Sequence, residues 1–203
     1  MKILILGAGA IGSNLTNRLV ADSKGEHEIT VLDMDTVEKR NVIAGTQFYM
    51  RDQIGMSKVE ALQYNIYKFH EKEIQIINKK YENGNIDFKS YDLVIDCFDN
   101  HTARKDAQAQ RHMDGVLRWS AYSLLHVGFS DQFTFAIEWD TNYKAPDDIK
   151  SGMDICEMEG ASSFVNYVAS VASTVVLEYL KKPVKGRKMI DVVGNKLTHT
   201  ILR

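Results

Sequence analysis

A mainly parallel α/β sheet with helices on both faces and an antiparallel C-terminal extension is the fold class that this 203-residue sequence predicts. Three observations carry the prediction. A short apolar run, Lys2–Leu6, breaks into a glycine-rich turn and then a helical pattern. Apolar runs of strand length go on alternating with runs of helical period, which implies parallel strands joined by right-handed crossovers. Near the C-terminus the pattern changes to two strand-like runs flanking Gly194-Asn195, a hairpin signal.

Taken in order, Lys2–Leu6 reads as a buried strand, and Ile11–Ala21 as a helix with Leu15, Leu19 and Val20 on one side. Glu28–Leu32 is a second strand, ending at Asp33, and residues 36–54 have no clean period and read as a long loop. Ser57-Lys58-Val59-Glu60 matches a capping box, in which serine and glutamate each satisfy an open backbone donor, and it starts a helix running to about His70. Ile74–Ile77 and Tyr91–Cys97 are the third and fourth strands. His101–Met113 is a helix, Val116–Ala121 a fifth strand and Gln132–Trp139 a further one. The polar stretch Asn142–Met158 reads as an exposed crossover, Gly160–Lys182 as the long last helix, and Met189–Val193 and Leu197–Leu202 as the closing strands. There is no repeat, low-complexity segment or clear linker, so residues 1–203 read as a single domain.

Composition narrows the function classes. Hydrophobic residues make up 44% and charged residues 26%, as in an ordered globular chain, and a net charge of −2 gives no bulk attraction to nucleic acid or to an anionic membrane. The basic run Lys181, Lys182, Lys185, Arg187 and Lys188 reads as a solvated turn. The two cysteines, Cys97 and Cys156, have no paired spacing, which fits a reducing, cytoplasmic setting, and Met1–Leu6 does not read as a signal peptide. The apolar stretch Ala161–Leu180 carries enough serine, threonine and asparagine to read as a buried helix rather than a membrane span. The six histidines show no ligand spacing and are read, His126 included, as structural or solvated.

The chemistry-bearing motif is Gly7-Ala8-Gly9-Ala10-Ile11-Gly12, which fits G-x-G-x-x-G between a strand and a helix. The first glycine makes the turn, the second lets phosphate approach the backbone, and the third lets helix and strand pack closely. The helix N-terminus offers free N–H groups and partial positive charge to an anion. Asp33 lies 21 residues beyond Gly12, at the end of the next strand, where a carboxylate can accept from both ribose hydroxyls. This is a Rossmann-like nucleotide site, and the pattern by itself does not separate NAD from ATP.

Further motifs separate them. Asp33-Met34-Asp35 is followed by Asn41, Gln47, Ile54-Gly55-Met56-Ser57-Lys58 and Asp96-Cys97-Phe98-Asp99-Asn100, then Arg104. In order and spacing, residues 1–182 resemble the ubiquitin-activating superfamily in its small bacterial form, the ThiF, MoeB and HesA proteins. The resemblance implies a cytoplasmic adenylyltransferase that uses ATP and magnesium to activate a carboxylate on a ubiquitin-like protein, a peptide or a small molecule. It implies that Gly7, Gly9, Gly12, Asp33 and Asp35 line the nucleotide and that Asn41 and Gln47 lie near the phosphates or the reacting carboxylate. It further implies that Lys58 binds phosphate and Asp99 binds magnesium. Cys156 matches a cysteine that in some members bonds to sulfur or an acyl group, although its acidic neighbours Asp154, Glu157 and Glu159 oppose a reactive thiolate. A homodimer is expected, with neither nucleic acid nor membrane as a partner.

The chain departs from that pattern in three ways. Thr46 precedes Gln47 where the family carries arginine, and Arg40 and Arg51 are the candidate replacements. The zinc-binding cysteine pairs of many members are absent, and the sequence starts at the first strand, so a trimmed, divergent member is expected. Two other readings stay open at this point: an NAD(P)-dependent oxidoreductase, and a nucleotide-binding partner protein without catalysis.

Overall fold

The computed structural model describes residues 1–117, 122–130, 132–141, 143–144, 158–181, 191–195 and 199–202. Its strands are β1 (Lys2–Leu6), β2 (Glu28–Asp33), β3 (Gln75–Asn78), β4 (Leu93–Asp96), β5 (Ser123–Phe129), β6 (Thr134–Trp139), β7 (Asp191–Asn195) and β8 (His199–Leu202). They form one sheet in the order β3-β2-β1-β4-β5-β6-β7-β8. The first five are parallel. From β5 onward every pairing is antiparallel, so the expected C-terminal extension is present.

The helices are α1 (Ala10–Asp22), α2 (Lys39–Ile43), α3 (Lys58–His70), α4 (His101–Leu117) and α5 (Ala161–Lys181). β1 shows why they take both faces. It is apolar on both sides, as a central parallel strand must be. Ile3 and Ile5 join a core with Leu15 of α1, Leu62 of α3 and Val168 of α5. Leu4 and Leu6 face the other way, toward Phe88, Tyr122 and Ala107 of α4. By length and composition α5 is the one helix among the described residues that could cross a membrane. Its face Phe164, Val165, Val168, Ala169, Ala172 and Val176 is buried in the core, and Ser173 donates to Asp22 at the end of α1 at 3.0 Å.

Several expectations are corrected. Of the expected strand Val116–Ala121, Val116 and Leu117 continue α4 and residues 118–121 lie outside the described residues; the strand that the structure describes is the next apolar run, Ser123–Phe129. His126 and Gly128 disguised that run, because a histidine inside a buried strand needs partners that only the fold supplies. β7 and β8 pair antiparallel as the hairpin signal implies, but Gly194 and Asn195 belong to β7, pairing with Phe135 and Thr134 of β6. The capping box at Ser57 does not form. Ser57 is the N-cap of α3 but makes no capping bond, and its Oγ is buried without a hydrogen-bond partner. Residues 36–54, read as a long loop with short turns, contain a short 3-10 turn at Arg51–Gln53 and also the helix α2. Cys156 and most of the expected crossover lie outside the described residues.

Candidate functional site

In the order β3-β2-β1-β4-β5 the chain runs outward from β1 in one direction and then restarts at β4 on its other side. Ligands of open α/β sheets bind at such a switch point, beyond the carboxyl ends of the strands. Three loops meet there, those following β1, β2 and β4.

The loop after β1 holds the three glycines, and the structure gives each a different constraint. Gly7 has φ of +93°, which an L side chain resists, and a Cβ there would lie 3.2 Å from the carbonyl oxygen of Cys97. A Cβ on Gly12 would come within 1.8 Å of the Gly7 carbonyl oxygen, so helix and turn can close only without a side chain. A Cβ on Gly9 would meet nothing within 4 Å. Gly9 is the N-cap of α1 and provides no side-chain cap, so the open space in front of it is faced by the first N–H groups of the helix. The turn is braced on both sides of Ala8: its N–H donates to Asp33 Oδ2 at 2.6 Å, and its carbonyl accepts from the Tyr49 hydroxyl at 2.6 Å.

The loop after β2 carries the second group. Asp33 is buried, and its other oxygen accepts the Asp35 N–H at 2.8 Å. Lys58, at the first position of α3, pairs with Asp35 at 3.0 Å. Its side chain is 11% exposed and that of Asp35 is 54% exposed, so the cation sits inside and the carboxylate at the rim. Gln47 is held beside the first turns of α1, because Thr46 accepts from Asn14 at 2.9 Å and the Phe48 N–H donates to Ser13 at 3.1 Å. The Oε1 of Gln47 is buried with no hydrogen-bond partner. Asn41 is buried too, but its Oδ1 closes the start of α2 by accepting the Glu38 N–H at 2.7 Å. Arg40 is bonded to Glu38 at 2.7 Å, and Arg51 is exposed.

The loop after β4 is organised by buried charge: Asp96 and Arg104 stood in the sequence motif and His126 was read as structural or solvated, with no pairing expected among them. Asp96 and His126 are register partners on β4 and β5, and both are buried. Asp96 Oδ2 receives His126 Nδ1 at 2.7 Å and faces Arg104 at 3.4 Å, while Oδ1 accepts the Phe98 N–H at 3.0 Å. Arg104, from α4, donates to the Phe98 carbonyl at 2.6 Å and to the Val127 carbonyl at 2.8 Å. His126 Nε2 faces Asp140 at 3.5 Å, and the imidazole stacks on Tyr143 with ring centroids 3.7 Å apart. Burial opposes the charge on Asp96, but Arg104 and His126 outweigh it and hold the carboxyl below its usual range. Burial likewise opposes an imidazolium at His126, but its bonds to Asp140 and Asp96 push its pKa up. Burial pushes the Cys97 thiol up, which makes it an inert core group. The clue available in the sequence was an ionisable residue in each of two otherwise apolar runs, Asp96 at the end of one and His126 in the middle of the other.

Beyond this network, Asn100 caps α4 by accepting the Thr102 and Ala103 N–H groups at 2.8 and 3.2 Å. Asp99 is exposed, and its carboxylate has no hydrogen-bond or ion-pair partner among the described residues.

Residues 1–202 match the model of the ThiF family. The chain belongs to that family. Over 110 residues it is 37% identical to SUMO-activating enzyme subunit 2 of Dictyostelium discoideum, covering 51% of this chain and 16% of that protein. Its fold is similar to that of E. coli MccB with ATP, with a TM-score of 0.64 at 15% identity over 99% of this chain and 62% of that one. It is equally similar to the microcin C7 biosynthetic enzyme MccB in complex with N-formylated MccA, with a TM-score of 0.63 at 15% identity and 63% of that chain covered. The ThiF-family chain thus spans less than two thirds of these relatives, and at this identity the two structures speak to fold alone.

Proposed function

We propose that this protein is an ATP- and magnesium-dependent adenylyltransferase that activates a carboxylate, the C-terminus of a ubiquitin-like or peptide partner, as an acyl-adenylate. The observation that carries the proposal is the placement of the open Gly9 loop, Asp33, Lys58 and Asp99, which has no partner among the described residues, on the loops around the β1/β4 switch point of a ThiF-family chain. The names of the relatives, a SUMO-activating enzyme and an MccB crystallised with ATP, support the same direction.

The reaction joins a carboxylate oxygen to the α-phosphorus of ATP and expels pyrophosphate. It needs negative charge offset at phosphorus more than it needs a proton carrier. The space at Gly9 admits phosphate oxygens to the first N–H groups of α1. Asp33, already fixed by two backbone N–H groups, keeps lone pairs for the ribose hydroxyls. Lys58 brings a nearly buried ammonium to the N-terminus of α3, so charge and helix dipole act on one anion. Gln47 has an unsatisfied carbonyl beside α1 to spend on the incoming group. Asp99 fits a hard cation. Among the described residues no cluster of three or more metal-ligating side chains gathers, and magnesium is commonly held by one or two carboxylates plus substrate phosphates. When bound, magnesium supplies the charge that offsets the phosphate oxygens. The oxidoreductase reading assigns no work to Lys58 and Asp99 and is not carried further.

The protein is expected to act in the cytoplasm as a homodimer, which light scattering at high concentration tests; a monomer only would contradict the dimer. The activity is tested by substrate-dependent exchange of labelled pyrophosphate into ATP. Asp99→Asn and Lys58→Ala should each lower exchange by about 100-fold or more while remaining folded. An active wild type matched by both variants would show that the chemistry sits elsewhere.

A further inference from the structure

Three fully or nearly buried ionisable groups, Asp96, Arg104 and His126, stand under the loop that follows β4. Such a cluster is a costly way to gain stability, because apolar residues of the same volume often do as well. What it supplies is geometry. The two backbone groups of Phe98 are each taken by one member, the N–H by Asp96 at 3.0 Å and the carbonyl by Arg104 at 2.6 Å. Asp96 and Arg104 could pair in more than one arrangement. His126 selects one, since it holds the Asp96 oxygen at 2.7 Å and is itself fixed by Asp140 on its other nitrogen and by the ring of Tyr143. The residue after this clamped peptide is Asp99, exposed and without a hydrogen-bond or ion-pair partner among the described residues.

We infer that His126 is a positioning residue for Asp99, acting through Asp96 and Arg104 to fix the Phe98 peptide and with it the place of the Asp99 carboxylate. The inference rests on the reading of Asp99 as the carboxylate that holds magnesium. Magnesium accepts little deviation from octahedral geometry, so a loosened carboxylate weakens the ion's grip even when the carboxylate is still present. His126 touches no reacting atom; it acts at a distance through two side chains and one peptide.

Two readings on the same protein samples test this. Hydrogen exchange of the segment 97–100 reports the clamp, and the magnesium concentration giving half-maximal ATP binding reports its consequence. In His126→Leu, exchange of that segment should rise by about tenfold or more, and the magnesium requirement should rise by about tenfold. His126→Asn keeps an N–H toward Asp96 and should shift both readings by only about threefold. It also decides the matter if the leucine variant does not fold, because unchanged readings in it overturn the inference. Asp99→Asn, measured alongside, should lose the magnesium dependence with exchange unchanged. If Asp99→Asn has no effect on magnesium dependence, the reading of Asp99 fails, and the assigned role of His126 falls with it even where exchange shows the clamp. If Asp99→Asn behaves as expected while folded His126→Leu matches wild type in either reading, the positioning role itself is wrong.

Discussion

The two flanks of the β1/β4 crevice use polar groups in opposite ways. On the β1–β2 flank the groups have capacity left over: the open space at Gly9, the half-exposed Asp35 beside Lys58, and the buried, unsatisfied Gln47 oxygen. On the β4–β5 flank the charges are turned inward. Asp96, Arg104 and His126 satisfy one another and the Phe98 peptide, and the Asp99 that follows is exposed. On the proposed function, one flank would offer ligands to a nucleotide and the other would hold a single ligand in place. Damage should therefore differ in kind: loss of binding on the first flank, loss of stability and alignment on the second.

The largest effect breaks the first flank in a way that does not concern ligand at all. Gly12→Ala puts a Cβ against the Gly7 carbonyl, where a contact of 1.8 Å would result without movement of backbone. We expect at least about 3 kcal/mol of destabilisation, read by denaturant unfolding without any nucleotide. A neutral result would show that the turn can yield and that the third glycine is not a packing requirement. Arg104→Lys comes next. Lysine keeps the charge but cannot reach the Phe98 and Val127 carbonyls and Asp96 with one planar fork. Leaving such groups unmet should cost about 2 kcal/mol by the same measurement, and an unchanged midpoint would mean that the network does not need the fork.

The smallest effect is a pH dependence confined to the second flank. His126 has a folded pKa above its unfolded value of about 6.5. Its ionic contribution is thus complete below that pH and fades as pH rises through the folded pKa. Asp96 has a lowered folded pKa, so its contribution is present above its unfolded value of about 4 and is lost as pH falls toward the folded one. The pair works best between about pH 4 and 6.5. The stability gap between wild type and His126→Leu should be wider at pH 6 than at pH 9. A gap independent of pH would mean that the imidazole is neutral in the folded protein and holds Asp96 by hydrogen bonding alone.

The same contrast explains what could be read from the sequence. The β1–β2 flank is built from neighbours in the chain: a glycine turn between strand and helix, and an aspartate at the next strand end, each with a spacing that its chemistry requires. The parallel order and the long helix followed from apolar periodicity for the same reason. The β4–β5 flank depends on residues 30 positions apart becoming register partners, and no local spacing reports that Asp96 will meet His126. β5 carries His126 in its interior, and the partner that lets a histidine be buried there is supplied by β4 across the sheet. At Ser57 the local pattern was present but the box did not form; the segment is tied instead to the loop after β2, where the Asp35 carbonyl accepts the Lys58 N–H at 2.9 Å and Thr36 bridges to Ser57. Asn41 shows the reverse. Its short-range role at the start of α2 could have been found by asking which residue caps that turn.

The central claim is that the crevice at Gly9 seats the triphosphate, and calorimetric titration of ATP with magnesium into Gly9→Val tests it most directly. The backbone at Gly9 has φ of −77°, and its Cβ direction is empty, so the variant should fold with wild-type stability. Valine would fill the space through which phosphate reaches α1, and affinity should fall by at least about tenfold, or 1.4 kcal/mol. A folded Gly9→Val protein that binds ATP as tightly as wild type would contradict the account, because the nucleotide would then be seated somewhere other than the glycine loop.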